Sequence, residues 1–411
     1  MVPNGWTLEN LGDICFINPK KMTKPEGGEV SFIAMNQLSE GGQLISGITK
    51  HYDEVSKGFT SFKDDDVLVA KITPCFENGK GALVRNLVNG LGFGSTEFHV
   101  LRSKKNTCPE FIYYLTRTTE LRAKGEMNMQ GSAGHRRVTA DYFHSYKVKT
   151  PPLPEQRKIA NILGTWDKAI SITERLIDNS KQQKKALMQQ LLTGKKRLLD
   201  DSEEPFEAQW EEAKLSDIGK VSIGLVTTMT KHYVKDGVPL IRNSDIKPNI
   251  IKKAKMLRLC ADFSSSYDSR KLKKGDVVTV HTGEVGVSAV IDDELDGCMG
   301  FATLNTRPNI NKVNPEYLSW YFNSELFIYW CISMSTGDGR QNLNLKDFVK
   351  AKVHLPSLLE QEKIVAVLVN ADNEIQLLEQ QLADLKQEKK ALMQQLLTGK
   401  RRVKIDEAEV A

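Results

Sequence analysis

The sequence predicts an α+β chain with two globular mixed α/β domains. These are separated by two long helices that form an antiparallel coiled coil, with a pseudo-twofold internal repeat. Three observations carry this prediction. One helical segment occurs twice, an apolar heptad seam runs through both copies, and β-branched runs broken by glycine-rich turns precede each copy.

The repeat is the firmest of the three. KKALMQQLLTGKKR begins at Lys184 and KKALMQQLLTGKRR begins at Lys389, 205 residues later. The same offset aligns PPLPEQRKIANIL at Pro151 with PSLLEQEKIVAVL at Pro356, without a gap. Glu155 then matches Glu360, Gln156 matches Gln361, Ile159 matches Ile364 and Leu163 matches Leu368. Weaker echoes precede each copy. WTLENLGDI at Trp6 resembles WEEAKLSDI at Trp210, DDVLVAKIT at Asp65 resembles GDVVTVHTG at Gly275, and PEFIYYL at Pro109 resembles PEYLSWYF at Pro315. The order is therefore variable domain, helix, variable domain, helix.

Within the first helical copy Ile159, Leu163, Trp166, Ile170, Thr173, Ile177, Ser180, Lys184, Leu187 and Leu191 alternate spacings of four and three, an a/d seam. The second copy carries Ile364, Leu368, Ala371, Ile375, Leu378, Leu382, Leu385, Lys389, Leu392 and Leu396 at the same places. Proline opens the first helix, and Gly194 and Gly399 stop the two copies ahead of basic residues suited to a C-terminal dipole. About 40 residues of helix span about 60 Å. Parallel packing would force the intervening domain to bridge that whole length, so the antiparallel arrangement is expected. The alternative is that each helix packs on its own domain. Lys184 and Lys389 interrupt the seam at equivalent places. Either they snorkel at a wet stretch, or the seam opens there for a partner helix.

The domains read as mixed α and β. Strands are expected over Asp66–Ile72 and Asp276–Val280, with helices from Pro109 to about Arg122 and from Pro315 to about Met334. A Gly/Ser/basic loop then follows in each, QGSAGHRRVT at Gln130 and STGDGRQNLN at Ser335. Expected boundaries are 1–150 and 198–355 for the two domains, 151–197 and 356–402 for the repeat helices, and 403–411 for a tail.

Composition excludes several classes. At 40% apolar and 27% charged, the 411-residue chain is neither disordered nor low in complexity. Six cysteines without a C-x-x-C pair indicate neither a disulfide scaffold nor a zinc ribbon. No signal-peptide pattern opens the sequence. The most apolar run, Tyr317 to Met334, is interrupted by Asn323, Ser324 and Glu325, so a cytoplasmic protein without a membrane span is expected. No phosphate-binding glycine loop, dinucleotide fingerprint, H-E-x-x-H or Cys/His ligand spacing is present. Asn18-Pro19-Lys20 does not complete the Asn-Pro-Pro-aromatic motif of amino-methyltransferases. No catalytic residue and no metal site is assigned.

A rod bearing two related heads suits a target with two unlike, separated halves, such as DNA half-sites one turn, or about 34 Å, apart. The net charge of +5 permits nucleic-acid binding without requiring it, so local placement must decide. In the first domain the candidate DNA-binding residues are Lys71, Thr73, Lys80, His135, Arg136 and Arg137. In the second they are Lys231, Arg242, Asn243, His281, Arg340, Gln341 and Asn342. Arginine forks suit phosphate or a guanine edge, and Gln or Asn suits adenine. For each, a solvated turn is the alternative, and His281 is equally readable as a hydrogen-bonded structural histidine.

Two variable domains, each followed by P-x-L/P-x-E-Q-x-K-I and then K-K-A-L-M-Q-Q-L-L-T-G-K, resemble the specificity (S) subunit of type I restriction–modification systems. The resemblance implies two target-recognition domains, each reading one half of an asymmetric bipartite sequence in double-stranded DNA, and paired helices that set the spacer. It also implies docking of two adenine methyltransferase subunits and of restriction subunits that translocate and cleave DNA. Those partners would use S-adenosylmethionine, ATP and Mg, while this chain would bind no cofactor and be non-catalytic. Identical docking sites call for a repeated surface, for which Leu187, Gln190, Leu191, Leu392, Gln395 and Leu396 are the candidates. Two rival readings are a bifunctional enzyme and a coiled-coil scaffold that never touches nucleic acid.

Overall fold

A computed structural model describes residues 2–132, 134–337 and 339–405. Ala133 and Asp338, one in each basic loop, and residues 406–411 of the expected tail lie outside it. The chain forms two compact units. One holds the residues up to Glu174 together with those from Gln380 on, and the other holds Arg175–Glu379. The division cuts through both long helices, Leu153–Leu191 and Leu358–Leu396.

In the first unit a four-stranded antiparallel sheet runs in the order Cys15–Ile17, Phe98–Ser103, Asp66–Ala70, Gly81–Leu83. A second sheet runs Ile48–His51, Glu29–Ile33, Leu91–Gly94, Thr60–Lys63, with a parallel pair at its centre. The Asp66–Ala70 strand is buried throughout, as its unbroken β-branched and apolar run requires. Asp66 anchors its start, receiving a two-pronged bond from Arg102 and the Lys63 backbone N–H. Thr7–Asn10 pairs antiparallel with Lys147–Thr150, closing the domain just before Pro151 and Pro152 lead into the long helix at Leu153.

The second unit repeats this plan. Its antiparallel sheet runs Gly219–Ile223, Thr303–Pro308, Val277–Val280, Ser288–Val290. The other sheet runs Tyr233–Val234, Leu257–Leu259, Val238–Arg242, Met299–Phe301, again with one parallel pair. Asp276 takes Arg307 as Asp66 takes Arg102. Glu211–Lys214 pairs with Lys352–Leu355 to close the domain before Pro356.

The helices that follow the sheets correct the sequence expectation. Pro109–Thr116 and Thr119–Met127 are separate, because the Thr118 hydroxyl accepts the Leu121 N–H and starts a new helix. Likewise Ser324 caps Glu325–Met334 and separates it from Pro315–Phe322. The aromatic run is thus buried throughout its first half but on one face only of its second, where Phe327 and Cys331 are interior while Leu326 and Tyr329 are 68% and 74% exposed. No described helix is long and apolar enough to cross a membrane.

The two long helices pair in opposite directions within each unit. In the first, Ile159 and Leu163 near the start of one helix share a core with Leu396 and Leu397 at the end of the other. In the second, Leu191 and Leu192 share a core with Ile364 and Leu368. Both cores also contain domain residues, Trp6 and Phe111 in one and Tyr317 and Phe348 in the other. The helices therefore pack on each other and on their domains at once. No seam position in either copy is exposed.

Candidate nucleic-acid interface

In each domain one strand end and the Gly/Ser/basic loop meet through the same backbone bonds. In the first, the Val138 N–H donates to Lys71 O at 2.9 Å and the Thr73 N–H to Arg136 O at 3.0 Å, while Gln130 and Arg137 exchange two bonds. In the second, the Leu343 N–H donates to His281 O at 3.0 Å and the Gly283 N–H to Gln341 O at 3.0 Å, while Thr336 and Asn342 exchange two bonds. Arg136 and Gln341 thus hold equivalent places, as do Arg137 and Asn342.

The side chains on this shared frame differ. The Arg137 fork grips Glu97, with Nε donating to Oε2 at 3.0 Å and Nη2 to Oε1 at 2.9 Å, and Nη1 donates to His135 O. This pairing holds the Glu97 carboxyl below the usual carboxylate range and raises Arg137. Arg136 lies more loosely, 3.8 Å from Glu77, whose other contact is the Thr73 hydroxyl at 2.7 Å. His135 is exposed, and Lys80 joins the group through its carbonyl, which accepts the Ala70 N–H. The six first-domain candidates therefore share one surface region. The unpredicted member is Glu97, and no spacing in the sequence ties it to Arg137, 40 residues on.

In the second domain Asn243 reaches His281, its side-chain oxygen accepting the His281 N–H at 2.9 Å while its amide donates to Ala302 O. His281 Nδ1 lies 2.8 Å from the Thr282 hydroxyl, which donates to Asn342 Oδ1 at 3.2 Å. Burial lowers the pKa of His281. Arg242 is committed to Asp245 by a two-pronged bond at 3.0 and 2.9 Å. Arg340 is exposed at the loop tip and Gln341 is half-buried beside it. Lys231 is exposed on the Thr230–His232 turn that leads into Tyr233–Val234. Donors and acceptors so arranged can meet phosphates and base edges. Among the described residues, no cluster of metal-ligating side chains occurs.

The candidate docking residues divide by burial. Leu191 and Leu396 are interior, at 1% and 2% exposure, Leu187 and Leu392 are half-buried, and Gln190 and Gln395 are exposed. The seam lysines are held in ion pairs. Lys184 meets Asp372 and lies over the Trp320 ring, while Lys389 meets Asp167 and lies over the Tyr114 ring.

The residues that sequence reasoning missed lie at the helix junctions. Glu155, fully buried, receives the Trp6 indole N–H at 2.9 Å and both prongs of Arg402 at 2.7 Å. Glu360, also fully buried, receives the Trp210 N–H at 3.3 Å and Arg197 at 2.7 and 2.8 Å. Each arginine follows the end of one long helix and meets the start of the other, the signature of antiparallel pairing. A signal was present, because Trp, Glu and Arg all recur in the repeat.

A family model described as type I restriction modification DNA specificity domain matches residues 3–181 and again residues 207–387. The chain belongs to that family. Among curated relatives, the EcoEI specificity subunit of Escherichia coli is 38% identical over 184 residues, 44% of this chain and 30% of that protein. The MjaVIII specificity subunit of Methanocaldococcus jannaschii is 22% identical over 98% of this chain and 94% of its own. A solved chain, from work on complex assembly and conformational transition of the type I R-M system, has a TM-score of 0.63 at 20% identity. It covers 98% of this chain and 100% of its own. The chain thus carries the type I DNA specificity domain twice and spans about a third of the EcoEI protein's length, and these relatives are named for specificity rather than for catalysis.

Proposed function

We propose that this chain recognises a bipartite double-stranded DNA sequence for a type I restriction–modification complex in the cytoplasm. Each domain reads one unlike half-site. The paired helices set the spacer and dock two adenine methyltransferase subunits, and restriction subunits join that assembly. Partners supply the S-adenosylmethionine, ATP and Mg chemistry, and this chain contributes recognition alone.

The observation that supports this reading best is the loop frame. The same backbone bonds hold Arg136 and Arg137 in one domain and Gln341 and Asn342 in the other. One frame with guanidinium chemistry in one place and amide chemistry in the other suits two half-sites of different sequence. Lys71, Thr73, Lys80 and His135 would support the first half-site, and Lys231, Arg242, Asn243, His281 and Arg340 the second. Base contacts then specify, while phosphate contacts, shared with partner subunits, position.

Methylation-sensitive sequencing of DNA from a host carrying the complete system tests this. An asymmetric bipartite methylated motif is expected. Removing one heptad from each long helix, about 10 Å of rise or three base-pair steps, should shorten the tolerated spacer and keep both half-sites. A single uninterrupted motif, or a spacer indifferent to the deletions, would overturn the reading. Robust methyl transfer by the isolated chain would favour the bifunctional enzyme instead.

A further inference from the structure

The loop that joins Asp66–Ala70 to Gly81–Leu83 carries Thr73 and Lys80, and its Glu77 meets both the Thr73 hydroxyl and Arg136. Within the loop, the Phe76 N–H donates to Ile72 O at 3.0 Å, the Gly79 N–H to Phe76 O at 2.9 Å and the Lys80 N–H to Cys75 O at 2.9 Å. The two helices after the sheets grip it from outside. Arg122, buried on Thr119–Met127, donates from Nη1 to Phe76 O at 3.0 Å and from Nε to Thr116 O at 2.7 Å. Its guanidinium lies 4.8 Å from the centre of the Phe76 ring. Arg117, at the end of Pro109–Thr116, donates to Gly79 O and, at 2.8 Å, to Glu40 O. The approach is close. A Cβ on Gly125, three residues beyond Arg122, would lie 2.4 Å from Phe76 Cζ, so glycine stands in a helix interior where alanine is otherwise preferred.

Stability alone does not favour arginine at position 122. Among the described residues no carboxylate pairs with it and its Nη2 has no hydrogen-bond partner, while burial pulls its pKa down to about 9. A buried cation without a counter-ion costs free energy that an apolar side chain does not. The second domain shows the apolar solution. The positions 205 residues on from Arg117 and Arg122 are Phe322 and Phe327, whose rings stack at 4.3 Å. They share a core with Val285, which lies in the shorter loop between Val277–Val280 and Ser288–Val290. The same two helix positions thus hold the strand loop with donors in one domain and by apolar packing in the other. A donor fixes the direction of a carbonyl, and an aromatic ring does not.

We propose that Arg122, assisted by Arg117, is a positioning residue for sequence reading by the first domain: it fixes the strand loop through Phe76 O and Gly79 O, and so sets where Thr73, Lys80 and Arg136 meet DNA. This rests on the reading above, in which each domain takes one half-site.

The test uses the full chain co-expressed with the methyltransferase subunit of its own system. The probes are duplexes carrying the motif that the complete system methylates, with single bases changed in one half-site or the other. Arg122→Met keeps the length of the side chain and removes every donor. It should lower discrimination at one half-site about ten-fold and leave the other within about two-fold. Arg122→Lys, which keeps a cation but not the fork, should fall between. Arg117→Ala, at a half-buried position, should cause a smaller loss at the same half-site, and it carries the test where Arg122→Met does not fold. Hydrogen exchange over residues 72–82, read by mass spectrometry, should quicken in these variants and stay unchanged over 281–287. Quickened exchange with unchanged discrimination would make the grip a device of the fold alone and overturn the proposal. Equal losses at both half-sites would do the same, as would an Arg117→Ala chain that changes neither readout. An unaltered complex that discriminates at neither half-site would remove the underlying reading as well.

Discussion

The helix junctions and the strand-end loops are both duplicated, yet they diverge in opposite ways. At the junctions the side chains themselves recur: Trp6, Glu155 and Arg402 in one unit, Trp210, Glu360 and Arg197 in the other. At the loops only the backbone bonds recur, and the side chains change from Arg136 and Arg137 to Gln341 and Asn342. A buried carboxylate leaves little freedom, because every neighbour must satisfy it. An exposed loop held by its own backbone can change its side chains at little cost to the fold. The duplicated chain therefore keeps chemistry where burial demands it and varies chemistry where the backbone alone maintains the shape.

That contrast can be broken most directly at Glu155. Glu155→Ala leaves the Trp6 indole and the Arg402 fork without their acceptor, and should cost about 3 kcal/mol of unfolding free energy by denaturant titration. Glu360→Ala should cost a similar amount. A loss below about 1 kcal/mol in both would show that the junctions are not what holds these helix ends. The opposite behaviour is expected at the loops. Arg136→Ala should leave the denaturation midpoint unchanged while weakening selective DNA binding about ten-fold at one half-site only. Equal weakening at both half-sites would assign Arg136 to the fold instead.

The smallest effect is a pH dependence in the first domain. His99 is buried, with Nε2 2.9 Å from Val138 O and Nδ1 3.0 Å from the Asn18 amide, which fixes a neutral ring protonated at Nε2. Burial lowers its pKa from the usual 6.5. The unfolded chain then binds the extra proton first, so stability present above about pH 6.5 declines as pH falls from there towards the folded-state value. His99→Gln should flatten that decline in denaturation midpoints measured from pH 7.5 down to 5. An unchanged slope would remove His99 as its source.

Much of the architecture was legible because the repeat is nearly identical and the heptad seam is a local property. Every predicted seam position proved at least half-buried. The sequence also paired the two basic loops correctly, through their common offset. It missed the helix breaks, because polar residues such as Asn323, Ser324 and Glu325 can also sit on the wet face of one continuous helix, and only the Ser324 cap on the Phe327 N–H shows that a second helix starts there. It weighted Arg136 and Arg137 alike, whereas Glu97 takes only the second as a fork.

The amino-acid order alone determined that the chain is duplicated, that each copy carries a long amphipathic helix, and where those helices stop. These follow from periodicity and from residues such as Gly194 and Gly399, whose φ of 70° only glycine adopts freely. Which charge meets which was decided by the tertiary structure. Glu155 and Arg402 are 247 residues apart in sequence, and Lys389 and Asp167 are 222 apart. A salt bridge depends on a few ångströms of separation, and only the folding of the two helices against one another in opposite directions sets that distance.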